Sequence, residues 1–348
     1  MNRDAKIYVA GHRGLVGSAI LRKLREQGCR NIISRTHREL DLTSQDAVKD
    51  FFEKERPEYV FLAAAKVGGI LGNATYPADF IYQNLAIQTH VIHAAWQYRV
   101  KRLLFLGSSC IYPRDCPQPM KEEYLMTGPL EPTNAPYAVA KIAGIEMCWA
   151  YNRQYGTRFI PVMPTNLYGI HDNFNLETSH VLPALIRKFH LATLAGRGDW
   201  EAIQKDEACY GPVPPDIRAA LGMSDTSGHI PRVVLWGSGS PRREFLHADD
   251  LADACVSVMS HKDVAHEVAS GPFLLNIGCG TDLTIREIAE TVAHITGFDG
   301  TVIWDADKPD GTPQKLLDVS RLNALGWQPR TPLAQGVQEV YDWYVCQY

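Results

Sequence analysis

The chain has 348 residues, of which 45% are hydrophobic and 21% are charged, and its formal net charge is −4. This length predicts about two domains, and the slightly acidic balance, with no cluster of basic residues, argues against a nucleic-acid partner. Every apolar run ends well before the roughly 20 residues that a bilayer requires, and the N-terminus lacks the apolar core of a signal peptide, so we expect a cytoplasmic protein without membrane association.

The eight cysteines and twelve histidines show no spacing typical of a metal site or of a disulfide framework. We therefore assign no metal, and we expect most of the cysteines to be small buried hydrophobic residues.

Short β-branched runs alternate with helical patterns through the first half of the chain. The runs cover residues 6–11, 31–35, 59–65, 102–109 and 158–166, and the helical patterns cover 15–28, 44–56, 82–99 and 137–156. This alternation predicts an α/β fold with a doubly wound, Rossmann-type parallel sheet over residues 1–169. Beyond it we expect a smaller mixed α/β substrate domain over 170–348, with some segments returning to the first domain. Its segment 194–231 is rich in turn signals and predicts an excursion over a ligand site.

A glycine-rich loop, GHRGLVG, stands where the first predicted strand meets the first predicted helix. Its glycines allow a tight turn and let backbone N–H groups approach a pyrophosphate at the helix N-terminus. A purely structural turn is the alternative, but the position at the first βα junction favours dinucleotide binding. The residues predicted to hold the cofactor here are Gly11, His12, Arg13, Gly14, Leu15, Val16 and Gly17.

The end of the second strand favours NADP(H) over NAD. An NAD site usually places an acidic residue there, whereas this chain has Arg35, His37 and Arg38, and Arg13 lies in the glycine loop. These cations can neutralise a 2′-phosphate, with solvated surface charge as the alternative interpretation. Asp41 could instead accept a hydrogen bond from the adenine amino group.

Tyr137 stands four residues before Lys141 in a helical pattern, so both side chains lie on one face of the helix. A nearby ammonium favours tyrosinate and brings a phenol with a reference pKa of about 10 closer to use at neutral pH. The pair opens the helix after the strand that ends in Ser108 and Ser109, at the sheet edge where ligands bind. A serine, a tyrosine and a lysine beside a nicotinamide would polarise a carbonyl and supply a proton.

These features, together with PTNLYG at residues 164–169, resemble the extended short-chain dehydrogenase/reductase family. Further blocks, including FLGSSCIYP, SHVLPAL and WGSGSPRREFLHADD, resemble the members that epimerise and reduce GDP-4-keto sugars with NADPH. The resemblance implies a GDP-sugar substrate, inverted at carbons 3 and 5 and then reduced at carbon 4. It also implies a homodimer, which extended members form by packing the helices around residues 84–98 and 137–155 into a four-helix bundle.

The resemblance gives Cys110 and His180 a role. Inverting a carbon beside a ketone requires a base on one face and an acid on the other, and the family assigns that pair to these two positions. Ser108 and Tyr137 would hold the enolate oxygen, and Tyr137 would later protonate the alkoxide. Alternatively, Cys110 is a small buried residue and His180 a structural histidine.

The resemblance also implies ligand contacts at further positions of this sequence. Lys188, Trp236, Arg243 and Asp310 match GDP-sugar contacts, although each could be a surface or packing residue, and Arg187 could replace Lys188. The residues expected to line the nicotinamide half of the cofactor are Leu106, Gly107, Ser108, Ser109, Pro164, Thr165, Asn166 and Leu167, with His180 nearby and Lys141 bonding the ribose.

Three other functions are alternatives to 3,5-epimerisation and reduction of a GDP-4-keto sugar. A sister enzyme that epimerises only carbon 5 of a GDP-4-keto-3,6-dideoxy sugar would need the same residues. A 4,6-dehydratase is disfavoured, because such enzymes place an Asp-Glu pair where this chain has Ser109 and Cys110. A nonenzymatic NADP sensor is disfavoured because Tyr137 and Lys141 are both present. The segment 194–231 is longer than the family pattern and could alter substrate choice.

Overall fold

The structure is a computed structural model, and it describes residues 1–223, 232–308 and 310–348. The last part of the predicted excursion, residues 224–231, lies outside the described residues.

The helices are α1 Leu15–Glu26, α2 Gln45–Glu55, α3 Ile70–Thr75, α4 Pro77–Gln97, α5 Ala135–Tyr155, α6 Val181–Arg197, α7 Trp200–Tyr210, α8 Pro215–Ala220, α9 Ala248–Ser260, α10 Lys262–Ser270, α11 Ile285–Thr296, α12 Ser320–Ala324 and α13 Leu333–Val345. The strands are β1 Ile7–Ala10, β2 Ile32–Ile33, β3 Tyr59–Leu62, β4 Arg102–Leu106, β5 Phe159–Pro164, β6 Asn166–Tyr168, β7 Arg232–Trp236, β8 Arg242–Arg243, β9 Phe245–His247, β10 Leu275–Ile277, β11 Leu283–Thr284, β12 Thr301–Asp305 and β13 Gln314–Lys315.

The large sheet confirms the predicted α/β fold. Six described strands pair in the order β10-β5-β4-β3-β1-β2, and every pairing is parallel. Alternate residues of β1 enter different cores: Ile7 and Val9 pack with α1 and α9, whereas Tyr8 and Ala10 pack with α2 and α4. Helices thus cover both faces, which explains why the strands are continuous apolar runs.

Smaller sheets and a third core lie beyond the large sheet. Among the described residues, the short sheets pair β11-β8-β13, β12-β7 and β6-β9. The third core contains apolar residues of α6, α11 and α13. The chain also returns to the large sheet, because β10 pairs in parallel with β5. At its carboxyl end β5 continues into β6 of a short sheet, and the predicted catalytic residues Ser108 and Cys110 follow the carboxyl end of β4.

Candidate active site

The turn between β1 and α1 forms an open cradle of backbone N–H groups. A Cβ on Gly11, whose φ is +84°, would lie 2.8 Å from the backbone nitrogen of Ala64. A Cβ on Gly17 would lie 2.1 Å from the carbonyl oxygen of Gly11. Gly14 is the N-cap of α1 and has no side chain to occupy the first amides of the helix. Free N–H groups at a helix N-terminus bind anions, so the cradle fits the pyrophosphate of a dinucleotide.

Positively charged arginine side chains lie in this turn and just after the end of β2. Arg13 is exposed, whereas Arg35 is half-buried and donates to Glu55 Oε1 at 2.7 Å. Hydrogen bonds from Thr36 hold the pKa of Glu39 below its usual range, and the charges of Arg35 and Arg13 lower it further. Both guanidinium groups therefore face one corner of the site. Glu55 partly neutralises Arg35, which leaves Arg13 as the more available cation for a phosphate.

The other residues predicted at the nucleotide end are His37, Arg38, Asp41 and His12. His37 and Arg38 are exposed. Asp41 Oδ1 accepts hydrogen bonds from the backbone nitrogen of Thr43 at 2.9 Å and from its hydroxyl at 2.7 Å, and these bonds lower the pKa of Asp41. Burial, with the charge of Arg13 as a smaller cause, lowers the pKa of His12. Asp41 thus already holds the turn before α2, using one of its two oxygens.

Four of the predicted catalytic residues converge at the carboxyl end of β4. A short 3₁₀ turn, Ser109–Ile111, follows the strand, and Ser108 precedes it in an extended conformation. Tyr137 and Lys141 lie in the first two turns of α5. The hydroxyl of Ser108 lies beside both the phenol of Tyr137 and the thiol of Cys110 and lowers the pKa of each. One serine therefore links the two groups expected to move protons.

Lys141 is fixed beneath this cluster. Its side chain is buried, and Nζ donates to the carbonyl oxygen of Leu106 at 2.9 Å. The ammonium lies 5.0 Å from the ring centroid of Phe105 and 5.7 Å from that of Tyr137. Burial lowers the pKa of Lys141 to about 8.

The predicted effect of Lys141 on Tyr137 is wrong for the protein alone. Burial raises the pKa of Tyr137, Cys110 raises it further, and only the hydrogen bond with Ser108 acts in the opposite direction. The ammonium lies over the face of the ring, so burial has the larger effect on the hydroxyl. Tyr137 consequently remains a phenol, the form that donates a proton.

Cys110 is half-buried, and two lysines lie near its thiol. Burial raises its pKa, while the hydrogen bond with Ser108 and then the charges of Lys315 and Lys141 act against the rise. The sequence does not show which cation could favour the thiolate, and the structure brings these two lysines near the sulfur. Lys315 has no motif of its own in KPDGTPQKLLDV, and only the pairing of β13 reveals its position.

His180 is the N-cap of α6, and it makes none of the contacts of the Cys110 cluster among the described residues. The turn before it packs against the loop after β3: Gly69 N donates to Thr178 O at 3.1 Å, and a Cβ on Gly69 would lie 2.7 Å from Ser179 O. The imidazole is open to solvent at the rim, yet desolvation lowers its pKa. It is therefore neutral at neutral pH.

Arg187 and Lys188 have different roles in the fold. Arg187 is fully buried, and its Nε donates to Asp206 Oδ1 at 2.8 Å. Asp206 also accepts from the hydroxyl of Tyr344 in α13. Lys188 lies near Asp216 of α8, and burial lowers its pKa. Arg187 is thus committed to structure, which leaves Lys188 as the candidate for a ligand.

The described part of the segment 194–231, residues 194–223, is mostly helical. The sequence predicts a turn-rich excursion, but α6 continues to Arg197 and is followed by α7 and α8. The buried ion pair between Arg187 and Asp206 anchors α7 to α6, the helix that begins after His180. Among the described residues of the segment, Gly198, Gly211, Pro212 and Pro214 lie between these helices.

The remaining predicted substrate residues lie on the short sheets. The indole of Trp236 is 66% exposed, and Lys308 Nζ lies 5.5 Å from its ring centroid. Arg243 is half-buried in β8. Asp310 Oδ1 accepts from the backbone nitrogen of Ser238 at 2.9 Å, and Oδ2 accepts from its hydroxyl at 2.7 Å. Asp310 therefore shapes the turn after β7, whereas Trp236 is an exposed aromatic residue beside Lys308.

Within the part of the chain that the structure describes, no helix is both long and apolar enough to cross a membrane. The same residues contain no group of three or more histidine, cysteine, aspartate or glutamate side chains that could hold a metal ion.

The chain matches the NAD dependent epimerase/dehydratase family over residues 7–203 and 210–278. It is 53% identical over 344 residues to GDP-L-fucose synthase 1 of Arabidopsis thaliana, covering 99% of this chain and 94% of that protein. It is 51% identical over 345 residues to GDP-L-fucose synthase of Escherichia coli K12, covering 98% of this chain and 96% of that protein. To the GDP-L-colitose synthase of Yersinia pseudotuberculosis it is 31% identical over 344 residues, covering 99% and 97%.

Solved structures from Campylobacter jejuni share the whole fold. A GDP-6-OMe-4-keto-L-xylo-heptose reductase superposes with a TM-score of 0.90 at 41% identity, covering 100% of this chain and 99% of that one. A GDP-D-glycero-L-gluco-heptose synthase determined in the presence of NADPH superposes with a TM-score of 0.87 at 41% identity, covering 99% of both chains.

Proposed function

Because the chain belongs to the NAD dependent epimerase/dehydratase family, we propose that it converts GDP-4-keto-6-deoxy-D-mannose to GDP-L-fucose, inverting carbons 3 and 5 before reducing the 4-keto group. The observation that carries the proposal is the thiol of Cys110, which follows β4 and lies beside Ser108 of the same strand end and Tyr137 of α5. A simple ketoreductase needs the serine, the tyrosine and Lys141. Epimerisation additionally needs a group that removes a proton from carbon, which the cysteine provides.

The cofactor is NADP(H). The backbone cradle of Gly11, Gly14 and Gly17 would hold its pyrophosphate, and Arg13 and Arg35 would face the 2′-phosphate. Lys141, with Nζ bound to Leu106 O, would bond the ribose. When bound, NADPH supplies the hydrogen and the two electrons that reduce carbon 4.

Epimerisation requires proton transfer on two faces of the sugar. The thiolate of Cys110 would remove a proton from the carbon next to the ketone, and the electron pair of the broken C–H bond would move onto the carbonyl oxygen. Ser108 and Tyr137 would donate hydrogen bonds to that oxygen. His180, having taken up a proton from solvent to form the imidazolium, would donate that proton to the carbon on the opposite face, and the proton on Cys110 would pass to solvent before the next inversion. Two such inversions, at carbons 3 and 5, give the L-configured keto sugar.

Reduction would use the same oxygen-binding groups. As carbon 4 is reduced, Tyr137 would pass its phenolic proton to the developing alkoxide. The alkoxide would thereby become the neutral hydroxyl of the product. The raised pKa of Tyr137 supports this role, because the phenol holds its proton until a stronger base forms beside it. Lys141, whose pKa is lowered to about 8, would stabilise the tyrosinate that remains.

The GDP group would lie along the short sheets. Arg243 and Lys188 would neutralise the diphosphate, and Trp236 would pack on a flat or apolar surface of the ligand. Asp310 would act through the turn that it holds, since both of its oxygens accept from Ser238.

We also propose a homodimer built from α4 and α5. These helices pack against each other, and each exposes an apolar side chain, Tyr82 at 67% and Val139 at 45%. Tyr82→Glu and Val139→Glu should each give monomers in sedimentation velocity, whereas Trp200→Glu on α7 should leave the dimer intact. Monomeric wild-type protein at micromolar concentration would rule the dimer out.

Product identification tests the function. The protein is incubated with NADPH and GDP-4-keto-6-deoxy-D-mannose, and NMR should identify GDP-L-fucose. Parallel incubations offer the GDP-4-keto-3,6-dideoxy sugar and a GDP-4-keto heptose. Efficient turnover of only the dideoxy sugar would assign the GDP-L-colitose reaction instead, and turnover of only the heptose would assign the chemistry named for the two Campylobacter proteins. No turnover of any of them, with NADPH bound, would favour a sensor.

A further inference from the structure

Lys315 is a half-buried lysine that the predicted site does not include. It lies in β13, in register with Arg243 of β8. Among the described residues, neither side chain forms a salt bridge with a carboxylate. Two adjacent cations in a partly desolvated position call for negative charge close by.

The backbone around Lys315 is held from both sides. On one side, Leu316 N donates to Gln118 Oε1 at 2.9 Å, and Met120 N donates to Leu316 O at 2.7 Å. These bonds join β13 to the segment that continues the chain from Cys110. The position of the Lys315 Cα is therefore tied to the segment that follows Cys110 in the chain.

Glu244 holds the other side of β13. Its side chain is fully buried; Oε2 accepts from Leu317 N at 3.0 Å, and Oε1 accepts from Gly280 N at 2.7 Å. Its backbone nitrogen donates to Lys315 O at 3.3 Å, and its backbone oxygen accepts from Asn166 Nδ2 at 2.9 Å. Glu244 thus fixes Lys315 relative to the strand end expected to line the nicotinamide.

The ammonium of Lys315 is close enough to Cys110 for each charge to affect the other. The other groups that face the thiol are Lys141, Tyr137 and Ser108. Lys141 is committed to the carbonyl oxygen of Leu106. The other titratable groups that face Lys315 are Arg243, Glu131 and Cys116.

We propose that Lys315 is a positioning residue for epimerisation, whose ammonium stabilises the thiolate of Cys110 so that the sulfur can remove the proton beside the ketone. The step rests on the proposed function, whereas the interaction between ammonium and thiolate does not depend on any substrate. Arg243, in register on the neighbouring strand, adds positive charge and disfavours a second cation, so Lys315 gains most from an anionic sulfur nearby.

The test measures the ionisation of Cys110 directly. Full-length wild type, Lys315→Met, Lys315→Gln and Lys315→Arg are treated with iodoacetamide from pH 6 to pH 10, and mass spectrometry follows alkylation of the Cys110 peptide. The exposed cysteines Cys209 and Cys346 serve as internal controls. Lys315→Met and Lys315→Gln should slow alkylation of Cys110 about tenfold near pH 7.5, a shift of its midpoint by about one pH unit. Lys315→Arg should keep most of the wild-type rate.

Several results would overturn the proposal. An unchanged Cys110 profile in Lys315→Met and Lys315→Gln would remove the lysine from the ionisation, and equal slowing in the Arg variant would indicate altered packing. Calorimetric titration with GDP provides a further check: weaker GDP binding with unchanged alkylation would place Lys315 at the diphosphate instead. If alkylation responds as expected but no GDP-L-fucose forms, the proposed function fails and the thiolate interaction stands.

Discussion

Replacing the thiol of Cys110 by a hydroxyl separates epimerisation from reduction. In Cys110→Ser the side chain keeps its approximate volume and its place beside Ser108, but it loses the acidic proton. We expect abstraction of the protons at carbons 3 and 5 to fail, while the groups that reduce carbon 4 stay in place.

The size of the effect follows from the surroundings of the thiol. Burial already raises the pKa of Cys110, and the two nearby lysines offset this only in part. An alcohol in the same place would ionise far less, so the contribution of the base should be lost almost entirely. A positioned general base contributes roughly 10²–10⁴-fold. At about 1.36 kcal/mol per factor of ten, the loss corresponds to about 3–5 kcal/mol of barrier.

Solvent exchange measures this loss without reduction. The variant and wild type are incubated in D₂O with the keto sugar and oxidised cofactor, and NMR follows deuterium at carbons 3 and 5. Cys116→Ser is the matched control, since Cys116 also lies near Lys315 but outside the Ser108 cluster. With NADPH present, Cys110→Ser should still reduce the sugar and give the product that retains the original configuration at both carbons.

Exchange at the wild-type rate in Cys110→Ser would refute the assignment of the cysteine as a base. Equal losses of exchange and of reduction, with cofactor affinity unchanged, would show that the substitution disturbs the shared oxygen-binding site. Loss of exchange in Cys116→Ser would mean that the region around Lys315, and not the Cys110 sulfur itself, determines the rate.

Three further substitutions test other parts of the site. Tyr137→Phe should slow reduction by about 10²–10⁴-fold with little change in NADPH affinity by fluorescence, and a normal rate would exclude the phenol as the proton donor. Arg13→Ala should raise KM for NADPH while leaving NADH use unchanged, and equal effects on both would argue against contact with the 2′-phosphate. Asp206→Asn should lower the free energy of unfolding in urea by about 3–5 kcal/mol, because Arg187 keeps a buried charge without its partner. Glu201→Gln, which breaks an exposed pair on the same helix, should cost below about 1 kcal/mol, and similar losses in both would contradict the anchoring role.

The sequence predicts the elements of the large sheet because each bears a local signal. The apolar run at 102–109 contains β4, and the helical pattern at 137–156 matches α5 to within two residues. Gly11 and Gly17 are recognisable because each occupies a position where a Cβ would strike backbone. Such features depend on neighbours in sequence or on a fixed motif, so one chain is enough to detect them.

Features that depend on contacts between residues far apart in the sequence produce no local sequence signal. Lys315 becomes significant only when β13 is joined to residues 118–120 and to Glu244, at separations of about 200 and 70 residues. Arg187 and Lys188 are adjacent in sequence, and only the position of Asp206 shows which of them is buried. The error about Tyr137 has a similar origin, since spacing on a helix predicts that two side chains share a face but not how deeply they are buried.

The two reactions require opposite behaviour from two acids that touch the same serine. Cys110 must lose its proton for epimerisation, whereas Tyr137 must keep its proton until the alkoxide forms. Burial raises the pKa of both groups, so desolvation cannot separate them. The nearby charges do separate the two pKa values. Lys315 and Lys141 favour the thiolate, and negative charge on Cys110 in turn raises the pKa of Tyr137. Ionisation of the cysteine therefore reinforces the protonated state of the tyrosine, and the same oxygen-binding site can serve enolate formation first and proton delivery afterwards.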